Sequence, residues 1–78
     1  MPRISFFNGI KINIYTNEHP PPHFHAIYGK DEAMISISSL EIIKGNLKNS
    51  QYKKIRNWAI NYQNALLRIF IELNPNLK

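Results

Sequence analysis

Hydrophobic periodicity changes once along this chain, and that change limits the fold more than any other feature. Up to Gly45 apolar and polar residues alternate with the period of strands; beyond Asn49 they recur with the period of a helix. Ile10, Ile12 and Ile14 alternate with Lys11, Asn13 and Tyr15, so one strand presents three isoleucines to a core and polar groups to the other side. The run from Ile4 to Phe7 is joined to it by Asn8-Gly9, the strongest short hairpin signal. His23 to Tyr28 and Ala33 to Ser38 form a second predicted hairpin, turning at Gly29-Lys30 or Lys30-Asp31. Either two-residue turn keeps the side-chain parity, placing Phe24, Ala26 and Tyr28 with Ala33, Ile35 and Ile37 on one face. His23 and His25 then lie on the other face with Ile27, Met34, Ser36 and Ser38. A last strand, Glu41 to Lys44, ends at Gly45, with its register open because Ile42 and Ile43 are both apolar.

From Ser50, read as the N-cap, the chain to about Leu73 fits one helix that Pro75 stops. Ile55, Trp58, Ala59, Tyr62, Leu66, Ile69, Phe70 and Leu73 fall in a stripe about 120° wide, the face expected to cover the sheet. The expectation is one domain over residues 1–78, with strands at about 3–44 and a helix at about 51–73. Its class is α+β: an antiparallel sheet of four to five short strands packed on one long C-terminal helix.

That arrangement leaves apolar surface over. A helix of some 22 residues is about 33 Å long and short strands span only about 17 to 20 Å, so the end around Leu67 to Leu73 is expected to overhang. Ile60, Leu67 and Ile71 sit roughly 140° around the helix from the main stripe and are the expected interface residues. The Asn8-Gly9 turn also sends Ile4 and Phe6 to the histidine face, unless a bulge reverses them. At 78 residues burial only just offsets chain entropy, which adds to the expectation of self-association or a protein partner.

Composition removes several classes. Without cysteine there is no disulfide framework, thiolate metal site or thiol nucleophile. Ten Lys and Arg against five Asp and Glu give +5, a surplus that attracts phosphate, an acidic protein or an anionic membrane surface without choosing among them. No apolar leader or spanning segment follows Met1-Pro2-Arg3, so a cytoplasmic protein with no membrane association is expected.

All three histidines fall within seven positions, His19-Pro20-Pro21-Pro22-His23-Phe24-His25. Imidazole exchanges protons near neutral pH and is the commonest transition-metal ligand, so this is where chemistry is expected. His23 and His25, two apart on a strand, point one way and supply two metal ligands; His19 or Glu18 on the proline loop offers a third, a set that zinc accepts. In a second reading no cofactor is required: His19, His23 and His25 are the catalytic candidates of a metal-independent RNase. Two of them exchange protons with the 2′-hydroxyl and the leaving oxygen, while Arg3, Lys11 or Lys30 binds the phosphate. In a third, each histidine is a polar residue of a sheet face or a donor in a proline turn. There is no Gly-rich phosphate loop, serine elbow or H-E-x-x-H. Trp58 and Tyr62 lie on the core stripe and are expected to pack rather than to stack on bases.

Asn8-Gly9-Ile10, the stretch from His19 to Gly29, Leu40-Glu41-Ile42-Ile43-Lys44-Gly45 and a helix holding Trp58-Ala59 together resemble the bacterial domain-of-unknown-function 4160 family. Members typically read H-x-P-P-H-F-H-A, matched at His19, Pro21, Pro22, His23, Phe24, His25 and Ala26, with Pro20 at the variable position. The resemblance covers essentially the whole chain. It implies a short protein often encoded beside a second small domain, an arrangement similar to a toxin and antitoxin pair. On that footing the chain is expected to be an interaction module, the basic and toxin-like half, with an acidic co-encoded protein as its partner and RNA as the substrate if it is an enzyme.

Overall fold

The computed structural model describes residues 3–75. Five strands, β1 (Arg3–Phe7), β2 (Ile10–Asn13), β3 (His23–Tyr28), β4 (Asp31–Ser36) and β5 (Ile42–Gly45), precede two helices, α1 (Asn49–Ala59) and α2 (Gln63–Leu73). The strands pair in chain order, each antiparallel to the next, because every connection except the one from β2 to β3 is short. The Asn8-Gly9 turn sets Phe7 opposite Ile10, and the Gly29-Lys30 turn sets Tyr28 opposite Asp31. Both registers match the alternation of the sequence. Ile10, Ile12 and Ile14 are buried with Phe24, Ala26, Ala33, Ile35 and Ile37, and this face packs on Ile55, Ala59, Leu66 and Phe70 of the helices. The fold is α+β, as the two periodicities imply.

Two bulges decide what parity left open. The β1–β2 register shifts between Arg3 and Ser5, and Ile4 packs against the core instead of facing the histidine side. Phe6 stays opposite Lys11 and is exposed on the outer face. The β4–β5 register shifts between Met34 and Ile35, so that Ile42 packs inward while Ile43 is exposed.

The C-terminal segment is two helices, not the single one expected from residues 51 to 73. Asn61 N–H donates to Trp58 O and Tyr62 N–H to Ala59 O, two tight i to i−3 bonds that turn the chain between α1 and α2. Asn61 Nδ2 also donates to Asn57 O, the local competition by which asparagine weakens a helix. The turn redirects the second half back over the sheet: Leu66 and Phe70 are fully buried, and the expected overhang of this end does not occur. The start differs too. Lys48, not Ser50, is the N-cap residue, and no side chain caps that end. Across the helix–sheet boundary Gln63 Nε2 donates to Ile37 O and Ser38 O, and Tyr52 Oη donates to Leu40 O. No described helix is long and apolar enough to cross a membrane.

Gly45 ends β5 at φ +88°, where a Cβ would run into the carbonyl oxygen of Glu32; Gly29 has φ +60° with open space around it. Gly29→Ala is therefore expected to lose about 1–2 kcal/mol, the strain of a left-handed backbone alone, whereas Gly45→Ala adds a collision with the neighbouring strand and loses more than about 2 kcal/mol. Urea unfolding midpoints of the two variants check this; equal losses would contradict it.

Candidate functional site

The outer face of the sheet, opposite the helices, is where parity places His25. Reading across the strands, Asn13, His25, Met34 and Lys44 form one row, and Phe6, Lys11, Ile27 and Glu32 form the next. At the open end of β3, the loop between β2 and β3 folds back over the histidines and delivers Glu18. Glu18 Oε1 lies 2.6 Å from His23 Nε2 and 3.1 Å from His25 Nε2. The other nitrogens are held as well: His23 Nδ1 is 2.8 Å from Pro21 O, and His25 Nδ1 is 3.2 Å from Glu32 Oε2. Tyr15 meets the His25 ring edge-on, with centroids 4.6 Å apart, and the two imidazoles themselves are 5.3 Å apart.

The two histidines are not equivalent. Both were expected to open onto the outer face, yet His23 is only 2% exposed, because the Phe70 ring of α2 packs 5.5 Å from it at the end of the strand. His25 is largely buried by Tyr15 and Glu18 but retains a solvent-facing edge. His19 is exposed on the proline loop and lies outside the cluster that Glu18, His23 and His25 form. Of the expected phosphate ligands, Lys11 shares the outer face one row from His25, while Lys30, in the β3–β4 turn, is about 16 Å further along the strand at ~3.3 Å per residue. Arg3 pairs with Asn13 through its backbone, and its side chain lies outside the described residues.

Asn74, just past α2, was absent from the sequence-based expectations and controls the loop. Its buried amide accepts from Glu18 N–H at 2.8 Å through Oδ1 and donates to Tyr15 O at 3.0 Å and Phe70 O at 3.1 Å through Nδ2. Its position before Pro75 was legible as a helix stop, but nothing in the sequence tied it to Glu18, 56 residues away. Lys44 was likewise missed, since it joins the row only through the bulged register of β5.

Desolvation raises the Glu18 pKa, but hydrogen bonds from His25 and His23, with the attraction of their charge, outweigh it and hold the carboxyl below its ordinary value. A depressed carboxyl pKa means that the unfolded chain takes up the proton first as pH falls. The stabilisation is thus complete above the unfolded value and is lost as pH drops through the folded one. Glu18→Gln is expected to lower the urea midpoint at neutral pH, with the gap to the parent closing as pH falls below about 4. Unfolding curves of constant separation from pH 7 to pH 3 would contradict this.

Residues 9–70 match the family model described as Domain of unknown function (DUF4160). That span includes β2 to β5, the whole histidine motif, α1 and α2 as far as Phe70. No curated protein and no solved structure matches the chain. With most of its length covered by that one family model, the chain belongs to the domain-of-unknown-function 4160 family.

Proposed function

We propose that this protein is the basic half of a two-protein pair of the toxin–antitoxin type, and that it docks an acidic partner on the outer side of its helices. The observation that carries this reading is apolar surface left uncovered beside unbalanced positive charge. Ile60, Leu67 and Ile71 are 61%, 37% and 54% exposed, and Leu67 and Ile71 line an open groove with Asn64, Arg68 and Glu72. Between Glu41 and Glu72 the sequence holds Lys44, Lys48, Lys53, Lys54, Arg56 and Arg68 and no acidic residue. An apolar groove is satisfied by any apolar ligand; Arg68 in the groove and the unbalanced positive charge of the segment select an acidic one and speed its approach.

Metal-independent cleavage of RNA is the weaker reading. General acid and base groups must both reach the scissile phosphate, whereas both Nε2 atoms here turn to Glu18 and His23 is sealed from solvent.

Co-expression with the neighbouring small acidic protein should give a complex on size-exclusion chromatography that loosens with rising salt. The double variant Leu67→Asp, Ile71→Asp should abolish it while leaving the melting temperature of the isolated chain within a few degrees of the parent, because both side chains are exposed. A complex that survives the double variant, or free protein beside every small neighbour, would overturn the reading.

A further inference from the structure

We infer that Glu18, His23 and His25 form a binding site for one divalent transition-metal ion of the zinc type. Each ring turns one nitrogen to the same carboxylate oxygen and the other to a separate acceptor: His23 to Glu18 Oε1 and Pro21 O, and His25 to Glu18 Oε1 and Glu32 Oε2. A cation beside Glu18 fits that convergence. Each Nδ1–H then donates to its fixed acceptor, Pro21 O or Glu32 Oε2, while the two Nε2 lone pairs and Oε1 become ligands. This is how metal-binding histidines are ordinarily oriented: the ring nitrogen away from the metal donates to a carbonyl or a carboxylate.

The donor set is also of the right kind and size. One ring nitrogen of His23, one of His25 and a Glu18 oxygen all lie within 4.8 Å of one another. Bonds of about 2.0–2.1 Å in a tetrahedron set neighbouring ligands about 3.3 Å apart, so the 2.6 and 3.1 Å contacts to Oε1 open by about 0.7 and about 0.2 Å to admit the ion. Two imidazoles and one carboxylate suit zinc and its first-row neighbours and not magnesium or calcium, which take oxygen ligands. Three protein ligands leave a coordination position open, and Glu18 and His25 are the ligands with an edge to solvent. His19, on the same loop, is not a ligand. The wall beside His25 holds a further buried acceptor that has no donor, Asn13 Oδ1.

The inference stands apart from partner docking, which uses the opposite side of the molecule. The test uses the tag-free full chain, stripped with chelator and titrated with zinc sulfate by calorimetry, and with cobalt(II) by visible absorption. One zinc per chain is expected, with a rise in melting temperature and the visible bands of a low-coordinate cobalt site. Glu18→Gln and His25→Ala should each weaken zinc binding more than the roughly 10- to 100-fold that removal of an outer partner brings, and Glu32→Gln should fall within that range. His19→Ala should bind as the parent does. Circular dichroism confirms that each variant is folded, and Glu18→Gln, being isosteric, serves if His25→Ala is not. Absence of zinc binding by the folded parent would overturn the proposal, as would binding that Glu18→Gln leaves undiminished.

Discussion

The pairing of β3 with β4 through a two-residue turn sets the side on which every later side chain emerges. Six residue pairs, from His23 opposite Ser36 to Tyr28 opposite Asp31, are locked by one register. A slip of one residue would exchange Phe24, Ala26, Ala33 and Ile35 for histidine, methionine and glutamate beneath the helices. The penalty for burying those polar groups is what makes the register unique, and the same alternation delivers His25 to the open face. Core and candidate site are therefore one consequence of strand parity rather than two separate features.

Parity was readable because it needs only local information: a period of two, and turns whose length preserves it. The two hairpins, the buried isoleucines and the outward His25 follow from it, and the uncovered Ile60, Leu67 and Ile71 follow from the helical period in the same local way. What could not be read are the places where tertiary packing overrides periodicity. Ile4 changes sides at one bulge and a second decides between Ile42 and Ile43, and bulges leave no composition signal in a run of apolar residues. The break between α1 and α2 contains neither glycine nor proline. Asn57, Asn61 and Tyr62 weaken the helix only modestly, and what fixes the turn is the gain from laying Leu66 and Phe70 on a sheet too short for a straight rod.

The candidate site was legible as residue types and not as an assembly. The sequence placed His23 and His25 on one side and offered Glu18 or His19 as a third group. Choosing between them required the path of the proline loop, which Asn74 fixes from the far end of the chain. The sealing of His23 by Phe70 depends on the same closure, which exists only because the helix breaks.

That closure gives α2 two roles on opposite sides. Leu66 and Phe70 face the sheet, and Asn74 just beyond the helix holds the Glu18 loop, while Leu67 and Ile71, each one residue further round, face solvent. An eleven-residue helix moves as a unit, so a shift that changes the outer groove also changes the distance from Asn74 Oδ1 to Glu18 N–H and from Phe70 to His23. If occupants of the two sides favour different placements of α2, each must alter the other's affinity by the same factor; if they favour the same placement, they reinforce one another. In a core this small there is no second layer to absorb such a shift. Asn74 ties the Glu18 loop to the C-terminal end of α2 and Phe70 packs on His23, so coupling between the two sides runs through these two residues.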